Sequence, residues 1–341
     1  MFSLLVGFAT GLSRLGWDLK ILPTSLHHGA IMVGGFLGTL ISLEKIIPLK
    51  KKLLFLIPVF SGASVILFFT NAPTASFLLL VLASCGLSGV FLHYYFRDKS
   101  IIYLLMLAGS LCWLMGNLVL MTKNFYPAAF PWWLAFILFI ITTERLEMTR
   151  FLPVKERSKR WLVFFLVLYI VGVLLSFHSG GDCVSGMALI AVSLWLMQHD
   201  IIGISIKKSG LPKFIAIALL SGYISMLLTG VFLIALTNQV LAYDAILHTF
   251  FLGFVFSMIF AHGPVILPGV LGIAVKPYHN VLYMWLFLLH ASWITRIAAD
   301  LLLHFDLRKI SGLASTACIL GYFATVATFI IKQMHRHAKV L

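Results

Sequence analysis

Long apolar stretches follow one another from end to end of this chain, with only short polar breaks between them. Runs such as FLLLVLASCGLSGVFL (77–92) and FIAIALLSGYISMLLTGVFLIAL (214–236) approach or exceed the roughly 20 residues a helix needs to cross about 30 Å of hydrocarbon. Inside a bilayer no water pairs with the backbone, so such runs must close their hydrogen bonds within themselves, as helices. Only 11% of the residues are charged and 61% are hydrophobic, whereas a soluble domain carries roughly 25% charged residues. The expected fold class is therefore an all-α membrane protein with twelve transmembrane helices. The spans run approximately 1–17, 25–43, 53–70, 74–96, 101–121, 127–144, 161–177, 183–202, 214–237, 244–263, 281–302 and 312–331. They fill the chain, so residues 1–341 read as a single integral-membrane domain. Its longest connection, about 145–160, separates two sets of six spans.

The loop charges orient these spans. Loops after even-numbered spans, together with the C-terminal tail, hold nineteen lysines and arginines, among them Lys50, Lys51, Lys52, Arg97, Lys99, Arg157, Lys276 and Lys339. Loops after odd-numbered spans hold four: Lys20, Lys123, Arg308 and Lys309. Short basic loops stay on the cytoplasmic side, so both termini are expected there. The net charge of +14 is thus accounted for by topology, and nucleic-acid binding has no further support. The opening segment, MFSLLVGFATGLSRLGW, lacks a basic leader and a small-residue cleavage signal and reads as a first span. Four scattered cysteines predict neither a disulfide framework nor a zinc site. No phosphate-binding loop, dinucleotide turn, nucleophile elbow or H-E-x-x-H motif occurs.

The chemistry that remains lies in the histidines. Span 2 carries His27 and His28 just below its outer end, and span 10 carries His248 at a similar depth, one turn below Asp244. Two neutral imidazoles on two helices are what a six-coordinate haem requires. His27, Ile31, Gly34 and Gly38 fall at i, i+4, i+7 and i+11, one face of an α-helix. Glycines there admit a flat macrocycle, although small residues spaced in this way also serve as a helix-packing surface. The helix face leaves His27 and His28 as alternatives.

Arg14 and Arg296 belong to neither set of loops and lie near the outer ends of spans 1 and 11. They are candidates for meeting haem propionates, because arginine grips carboxylates bidentately. Each also has an aspartate at i+4, Asp18 and Asp300, so a local ion pair competes with that role. His262 follows His248 by fourteen residues, about four α-helical turns, a spacing that would suit a second haem on the same helix. However, Ile41 and Ser42 occupy the corresponding places after His27 and His28. His290, mid-span in helix 11, is a further candidate ligand or a core histidine. His93, His199 and His279 lie near the inner side, and His178 and His304 near outer ends. Asn117 reads as a packing hydrogen bond, and Glu144, Arg145 and Glu147 as an interfacial charge cluster.

Three segments resemble NnrS-type membrane proteins: LHHGAIMVGGFLGTLISLEK, LHTFFLGFVFSMIFAHGPVILPG and LLHASWITRIAADLL. These are haem- and copper-containing bacterial membrane proteins linked to nitric oxide and denitrification, remotely similar to the twelve-span catalytic subunit of haem–copper oxidases. The resemblance implies a haem b with His28 and His248 as axial ligands, arginines near its propionates, and an inner-membrane location. It favours His28 over His27 because Met32 follows four residues later. The oxidases hold copper through histidines of spans six and seven, whereas 127–144 and 161–177 contain none. Their additional span-ten histidine is also missing, since Ile246 and Phe250 flank His248. A copper-containing reductase centre is therefore not expected, and a bis-histidine haem between helices 2 and 10 is. Such a haem suits electron transfer or binding of a diatomic gas, with a redox partner or membrane subunit as its company. Two other classes compete with this one: a twelve-helix secondary transporter, and a cofactor-free assembly subunit.

Overall fold

Apolar residues with high helix propensity between breaks of Gly, Pro, Asn and Lys yield helices separated by tight turns. The structure, a computed structural model, describes all residues except 20, 71, 176–179, 237–238, 271, 274–276 and 339–341. Lys20, His178, Lys276 and Lys339 therefore lie outside the described residues. Among the described residues there is no strand. The principal helices, in chain order, are α1 (Phe2–Arg14), α2 (His28–Leu49), α3 (Lys52–Leu67), α4 (Pro73–Arg97), α5 (Ile101–Lys123) and α6 (Tyr126–Met148). They continue as α7 (Glu156–Leu174), α8 (Gly181–His199), α9 (Leu211–Ala235), α10 (Ala242–Gly269), α11 (Val281–Leu301) and α12 (Phe305–Ala338).

Nine of these, among the described residues, are long and apolar enough to cross a membrane: α2, α4, α5, α6, α8, α9, α10, α11 and α12. The chain is thus a multi-pass membrane protein. Helix α1 has 13 residues, about 20 Å at the helical rise, which is shorter than the expected span 1–17. Helix α3 is also short, and α7 opens on Glu156, Arg157, Lys159 and Arg160. Other helices run past the expected limits because hydropathy registers only the apolar middle; α12 begins at Phe305, seven residues before the apolar run expected from 312. Large apolar side chains such as Val59, Leu78 and Phe287 are exposed on the helix surfaces, as lipid contact requires.

The chain divides into two compact units, Met1–Glu147 and Met148–Leu341. That boundary falls inside the connection expected at 145–160. Little of that connection is irregular, since α6 runs to Met148, a 3-10 turn covers Thr149–Phe151, and α7 starts at Glu156.

In the first unit, a polar relay ties three helices together. Trp133 Nε1 of α6 donates to Asn117 Oδ1 of α5 (3.0 Å), and Asn117 Nδ2 donates to Leu80 O (3.0 Å) and Ser84 Oγ (3.2 Å) of α4. Asn117 and Trp133 are buried, and the amide uses both of its functions, so the relay specifies how these helices dock. Trp133→Phe removes the donor and leaves the Asn117 oxygen unpaired away from water. The expected loss is about 1–3 kcal/mol, read as a lowered unfolding temperature in detergent with the fold otherwise retained. In the second unit, α8 and α9 meet through Gly186 and Gly230, where a Cβ on either would lie 2.6 Å from the other's carbonyl oxygen. Tyr322 of α12 stacks on Phe260 of α10 at 3.7 Å and donates its hydroxyl to Phe260 O (2.6 Å).

Two helices depart from α geometry within their first halves. Residues Ile31–Gly38 of α2 and Thr249–Val255 of α10 are π-helical. In each, a serine from nearby takes a glycine carbonyl: Ser61 Oγ donates to Gly34 O (2.7 Å), and Ser257 Oγ donates to Gly253 O (2.6 Å). Side-chain hydroxyls thus pair with carbonyls along the widened turns, as burial in an apolar medium demands.

Candidate functional site

The second unit holds the densest polar cluster near a candidate ligand. His248 ends the α-helical first turns of α10, directly before the π segment. Its Nδ1–H donates to Asp244 O at 2.9 Å, with Asp244 Oδ2 at 3.3 Å. A carbonyl can only accept, so Nδ1 carries the proton and Nε2 carries the lone pair in the neutral ring. Asp244 is also the hub for two arginines. Arg296 of α11 reaches it through Nε (3.1 Å to Oδ2) and a terminal nitrogen (2.9 Å to Oδ2, 3.2 Å to Oδ1), a forked pairing. Arg308 of α12 adds a terminal nitrogen at 3.0 Å from Asp244 Oδ1, and its Nε lies 2.7 Å from Asp300 Oδ1. Asp300 is buried completely at its side chain. Two cations and two carboxylates therefore balance one another beside the imidazole.

This arrangement corrects two expectations. Arg296 pairs with Asp244 across helices instead of with Asp300 at i+4, and Asp300 is served by Arg308. Arg308 had been counted as a loop cation, yet α12 begins at Phe305 and carries it against α10 and α11. Arg14 is exposed and ends α1, so the chain beyond it turns before Asp18 can stand at helical i+4; no ion pair joins the two among the described residues.

In the first unit, His27 and His28 sit in different surroundings. His28 opens α2 and packs against α1: its Nδ1–H donates to Gly7 O (2.9 Å), with Thr10 Oγ1 at 3.2 Å. A Cβ on Gly11 would come within 2.9 Å of the His28 ring, so that glycine makes room for the imidazole. By the same reasoning as for His248, its Nε2 bears the lone pair. His27 instead stacks on Phe68 (4.6 Å between centroids), meets Phe77 edge-on and has Nδ1 2.9 Å from the Tyr126 hydroxyl. The two neighbours thus differ in surroundings, His28 lying against α1 and His27 in an aromatic pocket.

The glycines of α2 are filled by neighbours. A side chain on Gly34 would run into Leu80 (2.6 Å), and one on Gly38 into Trp113 (2.3 Å). The i, i+4, i+7, i+11 face drawn from His27 to Gly38 presupposes 3.6 residues per turn, which the π segment does not keep. The same interruption, at Thr249–Val255, removes the phase relation that would put His262 beneath His248. His262 Nδ1–H donates to Met258 O (2.7 Å). His290 has both ring nitrogens engaged: Trp293 Nε1 donates to Nδ1 (3.0 Å), and Nε2 lies 3.0 Å from Ser257 Oγ. His199 is similarly engaged by Trp195 O and Ser158 Oγ. His279 and His304 accept from the backbone amides of Val281 and Leu307. Glu144 and Glu44 both pair with Lys45 in the first unit. Among the described residues, no group of three or more His, Cys, Asp or Glu side chains gathers as a metal cage would require. A bis-histidine haem does not call for one.

Sequence reasoning did not find Asp244 as a hub, the α1 cradle of His28 or the π segments. Only the first left a local signal, the Asp–His pair one turn apart in YDAILH. A family model described as a domain of unknown function, DUF8744, matches residues 1–331. The chain belongs to that family. This DUF8744 protein has no match among curated proteins or solved structures, so its site rests on its own geometry.

Proposed function

We propose that the protein is a haem-b-binding membrane protein of respiratory or nitric-oxide metabolism, in which the imidazoles of His28 and His248 would hold the haem. The observation that carries the reading is the ring state of these two side chains. Each gives its Nδ1 proton to a backbone carbonyl, which orients the ring and leaves the lone pair on Nε2, as metal-bound histidines do. A haem held this way would supply one-electron chemistry or a gas-binding iron, with electrons exchanged through a redox partner or membrane subunit. The cluster around Asp244 is already charge-balanced, so its contribution is to hold His248 in orientation. Twelve crossings with both termini cytoplasmic, in a bacterial inner membrane, complete the reading; the loop-charge asymmetry supports the orientation.

The test is a reduced-minus-oxidised spectrum of protein purified from haem-replete cells, with haem extraction. The expected result is a Soret band that His248→Ala abolishes and His290→Ala leaves in place. A colourless, well-folded wild-type protein would overturn the proposal. That outcome would favour a secondary transporter, for which the quartet of Asp244, Arg296, Asp300 and Arg308, with Arg296 and Asp300 buried, and the two widened helices are the supporting features.

A further inference from the structure

A second polar feature lies within the first unit, at the end of α4. A cavity of about 590 Å³ is lined by Pro48, Leu49, Lys51, His93, Phe96 and Arg97. Its walls come from the close of α2, the turn that follows and the last turn of α4. Two permanent cations and an imidazole line it, and no carboxylate does. Among the described residues, no ion pair is recorded for Lys51 or Arg97. Lys50 and Lys52 flank Lys51 in the sequence, and Lys99 Nζ sits 4.9 Å from the Phe96 ring centroid. Bare hydrocarbon goes with these charges: the lining residue Phe96 is 64% exposed, and Leu53, two residues past Lys51 in the chain, is 76% exposed. Because α2 and α4 are membrane-crossing helices, the cavity opens at the junction of water and hydrocarbon.

We propose that this cavity binds the phosphate of an anionic phospholipid. Lys51 and Arg97 would meet the head group while Phe96 and Leu53 lie along its acyl chains. Positive charge alone would take any phosphate, but the exposed apolar side chains beside it match a ligand that is charged at one end and apolar at the other. Basic pockets between membrane helices recognise anionic head groups through this combination. The inference is independent of the haem reading, since it uses none of the same residues.

Native mass spectrometry of the full-length protein, exchanged into detergent with phosphatidylglycerol or phosphatidylcholine, tests it. One lipid should be retained with clear preference for phosphatidylglycerol. The double variant Lys51→Gln/Arg97→Gln should weaken that retention about 30-fold, at the strength expected for two basic residues near an anionic surface. Both positions sit at an open cavity edge, and elution by size exclusion checks that the variant folds. Equal retention of the two lipids by the wild type, or unchanged retention by the variant, would refute the proposal. Displacement of the lipid by millimolar inorganic phosphate would also refute it, by assigning the cavity to free anions.

Discussion

Asp244→Ala will be the most damaging single change in the second unit. The carboxylate receives a forked pair from Arg296, a further guanidinium nitrogen from Arg308 and the Nδ1 side of His248. Its removal leaves Arg296, only 6% exposed at its side chain, with no counter-charge from α10. Stranding one member of a buried ion pair costs about 3–5 kcal/mol. The expected readout is a large fall in folded yield and in unfolding temperature. Asp244→Ala combined with Arg296→Met should recover much of both, because the stranded charge is then gone. A double variant as poor as the single one would show that the pairing is not what the carboxylate supplies.

Gly38→Leu should disrupt the first unit on a similar scale, by overlap instead of charge. A Cβ at this position would lie 2.3 Å from the Trp113 ring, which is fully buried and stacked on Phe136 at 5.0 Å. The indole cannot withdraw without unseating that stack. Overpacking of this kind costs about 1–3 kcal/mol, and a side chain this large placed against a rigid ring belongs at the upper end. Gly38→Ala brings only the Cβ and should cost less. Pairing Gly38→Leu with Trp113→Ala, which vacates the space, should regain thermal stability in detergent relative to Gly38→Leu alone.

Helical class and membrane character were legible because both follow from composition and run length, which are local properties. Contacts that depend on which helices meet were not. Nothing in IAADLLLHFDLR tells Asp300 that its partner is Arg308 on the next helix instead of Arg296 one turn behind. Gly34 and Gly38 invited a cofactor by their missing side chains, yet Leu80 and Trp113, distant in sequence, occupy that space. The π segments were invisible for a further reason. IMVGGFLG and TFFLGFV have the residue types of any apolar helix, and the hydroxyls of Ser61, Thr39 and Ser257 that reach glycine carbonyls in the widened turns stand outside those motifs.

The stretch Ile31–Gly38 also governs what the chain can lose. A wide turn stores a surplus residue, so excising one amino acid there would let the backbone tighten into regular coiling without breaking the rod. The turns on either side would keep their bearing, so His28 would stay in its seat against Gly7 and Gly11 while Lys45 kept its grip on Glu144. The same excision from a regular α-helix would swing one side by about 100° relative to the other. The spare residue of this stretch is what would spare the imidazole that turn.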